Sequence, residues 1–206
     1  FDARMKGPQQ RGIGRYIDQL LNAMTASPDN EWWVLVQEIP PITPLNVHWV
    51  KESSRWYSVR EQWSVPLRIL RLGGNILHIP HFNVPLSVSC LSALGVLPPL
   101  VITIHDLLLV RSPSTQPTTL PRPLWWMKYV AFRLNLWVAL RCAKSIIAVS
   151  DATASELRSV LPPRLHHRMS VIGEGVTALP PHQCSGEACA IGKNVFNALS
   201  NSLLIK

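Results

Sequence analysis

Two glycines, Gly12 and Gly14, stand at the start of an amphipathic segment that has the period of an α-helix. Glycine has no side chain, and the first turn of a helix has unpaired N–H groups and a partial positive charge, so such a pair can hold a phosphate against the backbone. Arg11 and Arg15 would add positive charge. The dinucleotide fingerprint would need a third glycine where Ile17 stands, and no P-loop Gly-Lys-Ser/Thr follows. Two interpretations stay open: a phosphate-binding turn, or a turn that only starts a helix.

Histidines at predicted strand ends are the second group of candidates. His105 and Asp106 directly follow the strand-like segment VITI. A histidine there can bind phosphate, donate a hydrogen bond or act as a base, and a buried histidine fixed by a carbonyl group is the alternative. His78 and His81 are three residues apart, but Pro80 between them argues against a helix that would aim both at one metal ion. We expect His81 to line a cleft. No Asp-x-Asp pair occurs in the chain, so we expect no metal ion. The missing third glycine argues against a dinucleotide, and we expect no cofactor.

Short apolar runs alternate with helical periodicity along the chain, and these elements must position the candidates. The predicted strands are 32–37, 46–50, 75–80, 100–106, 145–150 and 169–173, preceded by a strand end at 1–4. The predicted helices are 13–24, 58–72 with Pro66 as a kink or a boundary, 123–143, and 151–161 with Ser150 or Asp151 as its N-cap. The uncharged stretch 72–105 is interrupted by prolines and glycines, so we interpret it as strand–loop–strand and not as a membrane span. Alternating strands and helices predict an α/β fold with a doubly wound, mostly parallel sheet, in which ligands bind at the carboxyl ends of strands.

The composition indicates an anionic partner. The chain has 206 residues, a net charge of +8 and eight Trp, several of them beside Arg or Lys. In the segment 123–143 this pattern fits a core helix with cations reaching the surface, or a helix resting on a membrane interface; we expect no nucleic-acid partner. The four cysteines form no C-x-x-C pair, and no signal peptide opens the chain, so we expect a cytoplasmic protein with reduced thiols.

Five segments, in this order, resemble the amino-terminal domain of the retaining glycosyltransferases of family 4, which have the GT-B fold. They are FDARM…GIGRYIDQLL, HIPHFNVPL, VITIHDLLLVRSP, RCAKSIIAVSDATASELRSVLP and VIGEGV. The resemblance implies that Gly12, Gly14 and Arg15 face the diphosphate of a nucleotide sugar, and that His105 lies beside the transferred sugar. It also implies an acceptor-side cleft, which we expect to be lined by His81, Asn83, Asp106, Ser150 and Glu174. The last of these stands in Gly173-Glu174, where the family usually has Pro-Asn.

The resemblance further implies a division of the chain. Residues 1–180 correspond to the acceptor-side Rossmann-like domain, and 181–206 to a linker and the truncated start of a donor-binding domain. We therefore expect the chain alone not to catalyse transfer, and a separate chain could supply the second domain.

The implied reaction moves a hexose such as mannose or glucose from a nucleotide sugar to a saccharide or lipid-linked acceptor with retention, in polysaccharide or glycolipid synthesis. It would take place in the cytoplasm, where peripheral contact with the inner face of the membrane is a further option. The alternatives are a non-catalytic glycan- or membrane-binding half domain and a sugar-nucleotide epimerase with the GT-B fold.

Overall fold

Short strands and helices alternate in a computed structural model that describes residues 1–26, 30–41, 45–111 and 121–175. The strands are β1 (Trp32–Val36), β2 (Val47–Lys51), β3 (Leu77–Ile79), β4 (Leu100–Ile104), β5 (Ser145–Ala148) and β6 (Met169–Val171). The helices are α1 (Arg11–Thr25), α2 (Glu61–Leu72), α3 (Leu86–Ala93), α4 (Leu108–Arg111), α5 (Arg122–Cys142) and α6 (Asp151–Val160). The expected linker and partial second domain, 181–206, lie outside the described residues.

The strands form two parallel sheets, in the orders β1-β2 and β3-β4-β5-β6. Residues 1–3 lie between the two sheets and join them. The Ala3 N–H donates to the Leu35 carbonyl of β1 (2.8 Å), and the Asp2 N–H donates to the His78 carbonyl of β3 (2.9 Å). The predicted strand end at the start of the chain is therefore confirmed, and it makes one continuous parallel arrangement of the two sheets.

Helices cover both faces of this arrangement. Leu35 belongs to a buried cluster with the inner sides of four helices, represented by Val65 in α2, Val88 in α3, Leu136 in α5 and Leu157 in α6. Its neighbours Val34 and Val36 point to the opposite face, where they pack against α1. One face thus carries α1, the other carries α2, α3, α5 and α6, and the predicted Rossmann-like doubly wound α/β class is confirmed.

A buried network of three charges holds the amino-terminal segment in place. The Arg4 guanidinium contacts the Asp2 carboxylate (2.8 Å) and the Glu61 carboxylate at the start of α2 (2.9 Å), and all three side chains are at most 1% exposed. Burial alone would raise the pKa of Asp2, but Arg4 more than offsets this and lowers that pKa to about 2. Burial raises the pKa of Glu61 in spite of Arg4. Arg4 therefore has to satisfy two carboxylates that cannot reach bulk water.

Two details differ from the sequence-based expectation. The stretch 72–105 is not strand–loop–strand, because residues 86–93 form α3, which starts directly after Pro85. Pro66, expected as a kink or a boundary of the second helix, lies inside α2 and is buried. Among the described helices, none is both long enough and apolar enough to cross a membrane.

We predict that replacing Arg4 with Met lowers the free energy of unfolding by about 3–5 kcal/mol, because two buried carboxylates lose the guanidinium that pairs with both of them. Lys6→Met is the matched control. Lys6 pairs with Asp18 at 3.1 Å, but both side chains are more than one-third exposed, so its loss should cost about 1 kcal/mol or less. Urea denaturation of both variants measures the difference, and equal effects would contradict the structural role assigned to Arg4.

Candidate functional site

His105 is held at the carboxyl end of β4 by acceptors at both ring nitrogens. Nε2 lies 3.0 Å from the Pro80 carbonyl oxygen, and Nδ1 lies 2.6 Å from Oε1 of Glu174. A carbonyl oxygen only accepts, so Nε2 carries a proton and donates it to the Pro80 carbonyl oxygen. The side chain of His105 is 11% exposed and that of Glu174 is 49% exposed. The pair therefore presents a proton-carrying, partly solvated group at the edge of the sheet where ligands bind in such folds.

Tyr16 of α1 brings the start of that helix next to His105. The two rings meet edge to face with centroids 4.8 Å apart. Burial raises the pKa of the Tyr16 hydroxyl, so it stays protonated at neutral pH. Gly12 lies in the first turn of α1, is exposed and has open space where a side chain would stand. Arg15 lies one turn later and is also exposed. The positive end of the helix dipole is thus directed to the same edge of the sheet as His105.

Gly14 has a different environment from Gly12. It is buried, and a Cβ atom added there would collide with the carbonyl oxygen of Gly7. Gly7 itself has a φ of +109°, which favours glycine. The close backbone approach that Gly14 permits is therefore to the chain's own turn, and it fixes how residues 7–10 enter α1. Of the two glycines predicted to face a phosphate, Gly12 is the one open to solvent.

His81 and Asn83 lie beneath the surface, and neither lines an open cleft. Both are at most 2% exposed, and His81 Nδ1 accepts a hydrogen bond from the Asn83 N–H (3.1 Å). Within the described part of the chain, His81 Nε2 and the Asn83 side-chain nitrogen have no hydrogen-bond partner. His78 is also buried, and its Nε2 lies 2.9 Å from the Thr103 hydroxyl. Burial lowers the pKa of His78 to about 3 and that of His81 to about 4.

Asp106 and Ser150 act as helix caps at the same edge of the sheet. Asp106 is exposed, and its carboxylate accepts from the Leu108 N–H at the start of α4 (3.0 Å). Ser150 accepts from the Thr153 N–H (3.1 Å), which confirms it as the predicted amino-terminal cap of α6. Across the described residues, no three His, Cys, Asp or Glu side chains are arranged to hold a metal ion.

Sequence reasoning missed three supporting contacts around His105. Tyr16 is recognisable in the sequence only as one apolar position of an amphipathic helix. The Pro80 carbonyl has no side-chain signature at all. The Thr153 hydroxyl donates to the His105 carbonyl oxygen (3.0 Å) across 48 residues of sequence, and a long-range contact of this kind leaves no local pattern.

The two buried histidines predict how stability depends on pH. The folded state keeps His78 and His81 neutral, while the unfolded chain takes up protons below its ordinary pKa of 6.5. The free energy of unfolding should therefore fall as the pH drops from about 6.5 towards about 4, by about 1.4 kcal/mol per pH unit for each histidine. His78→Gln removes one of the two titrating rings, and its amide can still reach Thr103. The pH dependence of the free energy of unfolding, measured by urea denaturation, should therefore become shallower by the contribution of one histidine. An unchanged slope would contradict the burial of a neutral ring.

The glycines offer a second test. Gly14→Ala should lower the free energy of unfolding by about 2 kcal/mol or more, because the new methyl group displaces the Gly7 turn. Gly12 lies two residues before Gly14 and in open space. Gly12→Ala should therefore raise the free energy of unfolding by about 0.5–1 kcal/mol, because alanine favours the helix. Thermal and urea unfolding of the pair report both signs. Destabilisation by both substitutions would mean that α1 does not begin as described.

A comparison with protein families identifies the family of the chain. A search of curated protein sequences finds none that matches the chain. The model of glycosyltransferase family 4 matches residues 10–178, a range that includes α1, the His105 strand end and Glu174. Because this match covers well over half of its length, the chain belongs to glycosyltransferase family 4.

Proposed function

We propose that this domain serves a hexosyltransferase that moves a hexose such as mannose or glucose from a nucleotide sugar to a saccharide or lipid-linked acceptor, with retention of anomeric configuration. The product would belong to polysaccharide or glycolipid synthesis in the cytoplasm. Membership in glycosyltransferase family 4 supports the reaction class. The observation that carries the proposal is the meeting of His105, Glu174 and Tyr16 of α1 at one edge of the sheet.

The start of α1 supplies what a departing nucleoside diphosphate needs. Its first-turn N–H groups and helix dipole attract negative charge, and no acidic residue occupies the first turn. Gly12 leaves room for a phosphate oxygen to approach the backbone, and the exposed Arg11 and Arg15 add two cations. Charge that develops on the diphosphate as the glycosidic bond breaks would be stabilised there.

His105 and Glu174 supply directed hydrogen bonds to the sugar. Since Nε2 is held by the Pro80 carbonyl, the imidazole can change only its Nδ1 partner without turning. A sugar hydroxyl can take the place of Glu174 at Nδ1, or bind the half-exposed carboxylate while the pair stays intact. In both cases Pro80 and Tyr16 keep the ring in one orientation, so the hydrogen bond costs little reorganisation.

In an enzyme completed by the expected donor-binding domain, replacing His105 with Ala should lower kcat by about 100-fold or more, since a directed proton carrier is lost at the sugar. Glu174→Gln should lower kcat by a smaller factor, because a Gln side chain can still hydrogen-bond Nδ1 while Pro80 and Tyr16 keep the ring in place. His48→Ala is the matched control. His48 lies on β2, stacked on Trp33 at the far side of the sheet, and its loss should leave kcat unchanged.

The measurement is release of nucleoside diphosphate from a panel of nucleotide sugars, with the anomeric configuration of the product read by NMR. Unchanged turnover in His105→Ala would remove the role assigned to that residue. A product of inverted configuration, or an isomerised nucleotide sugar with no transfer, would overturn the proposed reaction.

A further inference from the structure

The longest helix carries a second apolar stripe on the side that faces away from the core. Its inner side packs against the sheet through Phe132, Leu136, Ala139 and Leu140. Its outward side exposes five large apolar side chains, each at least half exposed: Trp126, Met127, Val130, Leu134 and Trp137. Their spacing of one, three, four and three residues places them within about a 100° arc of the helix. An ordinary surface helix would carry polar residues along this line.

The neighbouring helices extend this surface. Helices α2, α3 and α5 pack side by side on one face of the sheet, so their outward sides point the same way. α2 exposes Trp63, Leu67 and Leu70, α3 exposes Leu86, and the exposed Leu94 directly follows α3. We call the outward side of α2, α3 and α5 the basic apolar face. Exposed apolar side chains therefore occur on the outward sides of all three helices, which is more than the single scattered residues that a monomeric protein normally exposes.

The charges on this face have one sign. α5 contains Arg122, Lys128, Arg133 and Arg141 and no acidic residue. In α2, α3 and α5, all of whose residues the structure describes, the one carboxylate belongs to Glu61, which is buried against Arg4. The basic apolar face therefore presents cations with no exposed carboxylate among them.

Cations and apolar surface meet at the carboxyl end of α5. The Arg141 guanidinium lies over the Trp137 ring, 3.9 Å from its centroid. On one side of Arg141 is an apolar groove of about 390 Å³ between α4, α5 and α6, which Leu134 and Val160 help to line. On the other side is a cavity of about 670 Å³ that Lys144 and Arg168 share with Arg141. Apolar surface flanked by cations suits a molecule with an acyl chain beside an anionic group.

We propose that the basic apolar face docks on an anionic membrane surface, with Trp126, Met127, Leu134 and Trp137 entering the headgroup region. Trp side chains favour that region, and a helix with an apolar stripe and basic flanks lies in its plane. Each Arg or Lys near the surface adds attraction to anionic lipid. The proposal is independent of the reaction proposed above.

The charge pattern selects this occupant over two others. A second copy of the chain would bring an equally basic face against this one, with no carboxylate to compensate. A nucleic acid would match the cations but would leave Met127, Val130 and Leu134 without an apolar environment. An anionic bilayer satisfies both the cations and the apolar stripe.

Co-sedimentation of the full chain with vesicles tests the proposal. We expect binding to vesicles of phosphatidylcholine and phosphatidylglycerol, weakened by added salt, and about tenfold weaker or no binding to phosphatidylcholine alone. The double substitution Met127→Ser/Leu134→Ser should reduce binding to the anionic vesicles about tenfold, with an unchanged far-UV circular dichroism spectrum. A blue shift of tryptophan fluorescence on binding should diminish in the same variant.

Ile39→Ser/Leu45→Ser is the matched control, because both residues are exposed, apolar and located between β1 and β2. This variant should bind as the unaltered chain does. No binding to anionic vesicles, or an equal loss in the control variant, would overturn the proposal. So would a dimer in the absence of vesicles that Met127→Ser/Leu134→Ser dissociates, since that result would assign the face to a second copy.

Discussion

The ion network around Arg4 is the constraint on which the rest of the domain depends. Arg4 ties the segment that joins the two sheets to the first residue of α2, and Glu61 in turn accepts from the Tyr57 N–H (2.8 Å). Burying either carboxylate or the guanidinium alone would cost much free energy. The three groups are stable in the interior only because they contact one another. The network therefore acts as a positional lock between elements that are 57 residues apart. It contributes specificity to the fold more surely than it contributes net stability.

That lock determines where the functional site lies. The segment leaves Arg4 and turns at Gly7, and Gly14 allows α1 to pass close to this turn. Tyr16 then meets His105 from β4, a strand on the other side of the joined sheets. The glycine-containing start of α1 looks like a local feature of the sequence. The helix is nevertheless directed at His105 only because the segment before it is held in place. The site is thus assembled by backbone packing and not by a contiguous motif.

The sequence separation between contacting residues explains which features could be predicted from the sequence. Strands rich in β-branched residues and helices with 3.6-residue periodicity are local patterns, so the α/β class, the parallel order and the Ser150 cap were predictable. The residue His105 was predictable as a strand end. Its contact with Glu174 spans 69 residues, and nothing in either segment indicates the other. Equally, the sequence does not distinguish an exposed Gly12 from a buried Gly14, since the difference lies in the path of Gly7.

Burial also explains the errors. HIPHF looked like a cleft lining because polar residues follow a strand, yet His81 and Asn83 bond to each other and remain inside. The short helix α3 was missed because LSVSCLSA is almost uniformly apolar or neutral and has no helical periodicity to detect. Polar residues after a strand mark a candidate edge of the sheet, but only the three-dimensional path of the chain shows which of them reach solvent.

The direction of α5 connects the site with the basic apolar face. β4 ends at the His105 edge, and α5 must return from that edge to the beginning of β5 at the opposite one. The contact between Phe132 and Phe82, which follows β3, confirms that the first half of α5 lies at the His105 edge. Trp126 and Met127 therefore stand at the same end of the domain as His105. On the proposal that this face rests on a bilayer, the candidate site would lie at the end of the domain where Trp126 and Met127 meet the headgroups.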